Sequence, residues 1–241
     1  MSDSSALIAR LRRIAVGDGA MQAAATPVDG WLAQGLSKAQ LHEIHAVEEE
    51  NAPSGAGFGI AVSLAAGPLP LLWLRTEGCG RSQGRLHASG LIEPGLPADS
   101  LVLAIVADGS ALLRAAADAA RCPRLGTVLV ESVGHAPGFD LTATRRLMLA
   151  AESSGVTVLS RRIGAEATAS AAAMRWRAPR FAAFDVECLR RRGGPAGRRW
   201  RVEWDRDAKS FRGASLSGAG LSVAPGRAAA CHPAAPVRRT G

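Results

Sequence analysis

The chain has 241 residues, 47% of them hydrophobic, and a formal net charge of +8. That length holds one α/β domain with tails or two small domains, and that apolar fraction fills a core, which excludes global disorder. Lys38 and Lys209 are the only lysines, so the basic character is arginine within an alanine-rich composition of the kind a GC-rich genome produces; it permits nucleic-acid or acidic partners and specifies neither.

Residues 5–16 carry Leu7, Ile8, Leu11, Ile14 and Ala15 on one helical face, with Arg10, Arg12 and Arg13 largely off it. That charge at helical spacing leaves no continuous apolar core for a signal peptide. Gly17 to Pro27 reads as a linker. The longest uncharged stretch, Asn51 to Leu74, is broken by Pro53, Pro68, Pro70 and several glycines and does not read as a bilayer span. A cytoplasmic location with no membrane partner is expected.

Leu41 to Ala46 is a short strand candidate. The glycine-rich segment "GAGFGIAVSL", residues 55–64, follows it and leads into a helix expected over Phe58 to Ala66. "PLLWLRT" is an apolar strand, and "SLVLAIVA" is a second, of the unbroken kind that is buried on both faces. Ser110 is expected to cap the helix "ALLRAAADAARC", which Pro123 ends. "GTVLVESV" is a third strand. Asp140 caps "LTATRRLMLAAESS", Gly155 terminates it, and "VTVLS" is a fourth strand. Buried strands alternating with capped helices imply a mainly parallel sheet with helices on both faces.

Beyond Ala173 the period becomes two. "MRWRAP", "FDVEC" and "RWRVEW" alternate apolar with charged residues, and "RRRGGPAGRR" supplies a turn between the last two. The three strands are expected to extend the sheet antiparallel. Phe184, Val186 and Cys188 share one side, as do Trp200, Val202 and Trp204, which makes the tryptophans core rather than base-stacking platforms. The domains expected are an N-terminal helix and linker over 1–27, an α/β domain over 28–207, and a disordered tail over 208–241.

Four candidate chemistries are weak on these residues. The glycine segment occupies the place of a phosphate-binding loop, but no lysine or hydroxyl follows Gly59, and Glu48, Glu49 and Glu50 precede the loop. Gly55, Gly57 and Gly59 are therefore read as a degenerate loop binding no cofactor. His42, Glu43 and His45 lack metal-binding spacing, because positions i and i+3 of a strand face opposite ways. Cys79, Cys122, Cys188 and Cys231 form no C-x-x-C pair, so no metal site or disulfide framework is expected. Ser132, Ser153 and Ser160 sit in no nucleophile elbow.

In order, these segments resemble the core of the RecA recombinase family. "VDGWLAQGLSKAQLHEI" is similar to the approach to its first strand, "WLRTEG" to the strand ending in the catalytic glutamate, and "TVLVESVG" to the Walker B strand. The resemblance puts those roles on Glu77 and Glu131, as vestigial candidates only, since the loop has lost its phosphate contacts. Within the superfamily, "GFDLTATRRLMLAAESSGVTVLSRR", "MRWRAP" and "LRRRGGPAGRRWRVEWD" resemble the ImuA family, over roughly residues 28–205.

Membership would imply a non-enzymatic accessory subunit of SOS-inducible, error-prone translesion synthesis. Its partners would be ImuB and, as further candidates, RecA and the error-prone C-family polymerase. The DNA-contacting loop of RecA proteins is reduced here to Ile163 to Ala169, and Arg161 and Arg162 at its stem read as solvated or phosphate-binding. Arg190, Arg191, Arg192, Arg198, Arg199 and Arg201 suit a partner's acidic groups, DNA phosphates or a solvated rim, and the sequence leaves these open. Leu7, Leu11 and Ile14 would dock on a partner or pack on their own domain. A residual ATP-binding recombination factor and a SulA-like cell-division inhibitor are the alternatives.

Overall fold

Alternating apolar runs and capped helices set the order of elements in the computed structural model, which describes residues 37–46, 48–67, 70–177, 184–194, 196–197 and 199–214. Strand β1 (Leu41–Ala46) leads through a 3-10 turn into helix α1 (Ala52–Ala66) and strand β2 (Leu71–Thr76). Helices α2 (Glu77–Gln83) and α3 (Ala88–Ile92) precede β3 (Leu101–Val106), α4 (Gly109–Ala120) and β4 (Thr127–Val133). Helix α5 (Leu141–Ser154) leads to β5 (Thr157–Ile163), and β6 (Met174–Arg177), β7 (Phe184–Arg191), β8 (Arg199–Asp205) and β9 (Ser210–Gly213) complete the chain order.

The nine strands among the described residues form one sheet in the order β3-β2-β4-β5-β1-β6-β7-β8-β9. From β3 to β6 all pairings are parallel, and β7, β8 and β9 add to β6 antiparallel. Each face is covered from the residues that alternate toward it. On one face Phe58 and Ile60 of α1 pack over Ile44, Trp73, Leu129, Leu159 and Trp176. On the other, Leu112 and Ala116 of α4 and Leu147 and Ala151 of α5 pack over Leu41, Leu74, Val128, Val130 and Val158.

The aromatic residues of the extension join the α1 face. Phe58 lies 5.9 Å from Trp176 and 5.5 Å from Phe211 between ring centroids, and Trp204 lies 5.0 Å from Phe211. The Trp204 indole donates to the Pro94 carbonyl at 2.8 Å, which ties the segment before β3 to the far end of the sheet. Trp200 and Trp204 are thus built into the core side, as their alternation requires.

Several expectations change. Helix α1 starts six residues earlier than expected, so Gly55 and Gly57 lie inside it with Gly59 rather than in a loop. Among the described residues strand β3 is an outer edge of the sheet, paired only with β2, and Val102, Leu103 and Ile105 are 49%, 44% and 59% exposed; an unbroken apolar run does not reveal that its strand has a neighbour on one side only. Asp108, not Ser110, caps α4, its carboxylate accepting from the Ala111 amide at 2.8 Å. Strand β6 pairs parallel with β1, so only the strands after it are antiparallel to their neighbours.

The expected tail from 208 contains β9, because Phe211 is apolar enough to be buried against Phe58 and Trp204. Asp140 and Gly155 cap α5 as expected, the glycine at φ 82°. The helix expected over residues 5–16, including Leu7, Leu11 and Ile14, lies outside the described residues, as does the tail beyond 214.

Candidate functional site

The connection from β1 to α1 is where the sequence places the degenerate phosphate loop. It is a single 3-10 turn, Glu49–Asn51, followed directly by the helix, and Asn51 donates to Glu48 Oε2 at 2.6 Å. None of Gly55, Gly57 and Gly59 has a positive φ. A Cβ added to Gly59 would meet Leu129 at 3.6 Å and Ile44 at 3.7 Å, and one on Gly57 would meet Phe184 at 3.8 Å. These two glycines lie against the sheet side of the helix.

Beneath the start of α1 lies a charged cluster. Arg75 of β2, Glu131 of β4 and Arg161 of β5 are register partners across three adjacent strands, so their side chains share one face. Glu131 Oε1 accepts from Arg75 Nε at 3.1 Å and Nη2 at 2.9 Å. Its Oε2 accepts from the Trp73 indole at 3.0 Å and pairs with Arg161 Nη1 at 2.6 Å. Arg161 also donates to the Ala52 carbonyl at the first residue of α1, and Arg75 Nη1 donates to the Gly84 carbonyl at 3.1 Å.

A carboxylate offers about four lone-pair positions, and Glu131 has four donors. None is left for a metal ion or a water nucleophile. Glu131 is 0% exposed, and Arg75 and Arg161 are 4% and 3% exposed, so the triad carries one net positive charge in a buried place. Burial pulls the Arg161 guanidinium below its usual value, and the adjacent Glu131 charge opposes that shift. Removing Glu131 would leave two buried guanidiniums with no counterion, at a cost of about 3–5 kcal/mol.

No protein-family model matches the chain, and no curated protein matches it. Among solved structures, the RadB recombinase superposes with a TM-score of 0.53 at 13% identity, covering 76% of this chain and 94% of that one. The fold is RecA-like. SulA from Pseudomonas aeruginosa is a second match, at TM-score 0.39 and 20% identity, covering 51% of this chain and 97% of its own.

In this RecA-like sheet the other sequence candidates fall apart in space. Glu77 opens α2 with its side chain 61% exposed, 3.6 Å from Arg81 one turn on. It does not share the buried environment of Glu131. His42 and His45 point to opposite faces: the His42 imidazole donates to the Ser37 carbonyl, and His45 pairs with Glu43 at 3.3 Å. Among the described residues no group of three metal-ligating side chains occurs, and no described helix is long and apolar enough to cross a membrane.

The arginines of the extension are largely paired internally. Arg201 makes a two-pronged contact with Asp185 at 2.7 and 2.9 Å, and Arg199 and Arg177 both reach Glu187, at 3.3 and 3.2 Å. Arg190 donates to the Ser170 carbonyl at 2.8 Å, and Arg192 lies 3.5 Å from Glu152. Arg191 also has a partner, and Arg198 lies outside the described residues. Arg161 and Arg162, expected at the loop stem as solvated or phosphate-binding residues, are instead buried within β5.

Sequence reasoning located Glu131 but missed Arg75, Trp73 and Arg161 as its partners. Arg75 was a visible signal, a lone charge in an apolar strand. Its meaning depends on β2, β4 and β5 being neighbours, which chain order does not state.

Proposed function

We propose that this chain is a non-enzymatic RecA-like accessory subunit of SOS-inducible, error-prone translesion DNA synthesis. It binds ImuB, and RecA and the error-prone C-family polymerase are further partners of the same assembly. The observation that carries the non-enzymatic reading is the saturation of Glu131 by Arg75, Trp73 and Arg161. In the position that would serve magnesium and water, the carboxylate is already occupied by two guanidiniums and an indole. Phosphoryl transfer depends on positioned metal and phosphate contacts, and those groups are absent from the residues after Gly59 as well.

The interaction role draws support from the edge of the sheet. Strand β3 presents Val102, Leu103 and Ile105 to solvent, with no charged residue within it. An uncovered apolar edge is a template for another chain's strand, and soluble proteins ordinarily protect such edges with charges, bulges or proline. The assignment to translesion synthesis rests on the likeness of the α5–β5 unit and the β7–β8 hairpin to the ImuA family. With no nucleotide switch, the partner contact is constitutive.

Affinity capture of the tagged full chain from DNA-damaged cells tests the partner assignment. Recovery of ImuB supports it. Recovery of the cell-division protein FtsZ without ImuB would move the reading to the SulA-like alternative.

A further inference from the structure

A second buried polar cluster lies on the α5 side of the sheet, opposite Glu131. Ser132, Arg162 and His45 stand in one row across β4, β5 and β1, and Ser160, Glu43 and Arg175 stand in the row below across β5, β1 and β6. The period of two puts all six on one face. Each is less than a tenth exposed.

Charge does not balance in this cluster. Glu43 is the single carboxylate, and it is engaged by Arg175 Nε at 2.7 Å, by His45 Nε2 at 3.3 Å and by the Ser170 hydroxyl. Arg162, 5% exposed, has no hydrogen bond or ion pair among the described residues; its guanidinium lies over the Phe139 ring, 4.8 Å from the centroid. Unpartnered buried polar atoms collect around it: Arg162 Nε, Arg175 Nη2, His45 Nδ1 and the hydroxyls of Ser132 and Ser160.

Two guanidiniums against one carboxylate leave one positive charge, the same surplus as in the Glu131 triad, but there both guanidiniums pair with the carboxylate, whereas among the described residues Arg162 meets only the Phe139 ring. Buried charges are ordinarily paired, because leaving one unpaired costs several kcal/mol. Water satisfies a hydroxyl, but it does not cancel the surplus charge. Arginine has donors only, so whatever completes the cluster must accept hydrogen bonds. The surplus is one unit and Glu43 stands close by, which disfavours a doubly charged ligand.

We propose that Arg162, Arg175, Ser132 and Ser160 form a binding site for a singly charged oxyanion, a carboxylate group in the form that matches a guanidinium fork. The site lies at the carboxyl ends of β4, β5 and β1, on the face opposite the Glu131 triad. Phe139 closes it on one side, and the chain leaves β5 through Gly164 and the buried Ala165 to the exposed residues Glu166 to Ala169.

Thermal unfolding of the full chain in formate and in chloride at equal ionic strength tests the site, with formate as the smallest carboxylate probe. The expected result is a saturable rise in Tm with formate that chloride does not give. Arg162→Met should abolish the formate-specific rise and, in chloride, melt no lower than the parent, since it removes an unpaired buried charge. Should Arg162→Met fail to fold, the proposal is overturned, because its guanidinium then has partners within the protein. Ser132→Ala, which leaves every charge in place, should shift the formate midpoint to higher concentration. Equal shifts in formate and chloride for the parent chain, or a formate response that survives in Arg162→Met, would also overturn it.

Discussion

Arg161 Nη1 lies 2.6 Å from Glu131 Oε2, and the same guanidinium donates to the carbonyl of Ala52. One side chain thus links β5, β4 and the first residue of α1. The Glu131 carboxylate is part of the fold's internal electrostatics. Glu131→Gln keeps the shape and removes the charge, leaving Arg75 and Arg161 buried without a counterion. Chemical denaturation should show a loss of about 3–5 kcal/mol. A loss below about 1 kcal/mol would mean that the triad contributes little to the fold.

The glycines of α1 make a contrasting case. A phosphate-cradling glycine does not tolerate a side chain, whereas Gly57 and Gly59 have helical backbone and room for a Cβ at 3.6 to 3.8 Å. Alanine is favoured over glycine within a helix by up to about 1 kcal/mol. Gly57→Ala and Gly59→Ala should therefore hold or raise the denaturation midpoint. A marked loss in either would show that the helix packs closer to the sheet than these distances state.

The features readable from the sequence are those with local causes. Asp140 and Gly155 mark the ends of α5 because a carboxylate and a left-handed backbone are local needs. The two-residue period placed Trp200, Val202 and Trp204 together without knowledge of their partners. What escaped depends on strand order. "SLVLAIVA" has the composition of a doubly buried strand, yet it lies at the edge because among the described residues no strand pairs outside it. The glycine segment reads as a loop because three glycines in five residues weaken a helix, and packing on Ile44, Leu129 and Phe184 prevails over that propensity. In the site, Glu131 was visible by position, while its partnership with Arg75 and Arg161 came only from the register of β2, β4 and β5.

Acid sensitivity should begin with His42. Burial pushes its pKa down to about 4 from 6.5, against the hydrogen bond to the Ser37 carbonyl, which raises it. Between those values the unfolded state binds the proton and the folded state does not, so stability falls as pH drops from 6.5 toward 4. The full effect of that shift is about 3 kcal/mol. His42→Gln should flatten the stability profile across this window, measured by urea denaturation at a series of pH values. An unchanged slope would assign the acid sensitivity to other groups.

Strand β3 gives a surface prediction. Ile105 is 59% exposed, so Ile105→Lys should change stability by less than about 0.5 kcal/mol. It should nevertheless weaken partner capture about tenfold or more, because a charge on an apolar edge opposes strand addition. Undiminished capture by a folded Ile105→Lys variant would put the interface elsewhere.

On the proposed function, the partner contact needs no nucleotide. Its most direct test is the dissociation constant for purified ImuB, measured with and without magnesium and ATP. Measurable binding with the two values within about twofold of each other, less than 0.5 kcal/mol apart, is the predicted result. No association, or association only when ATP is present, would contradict it.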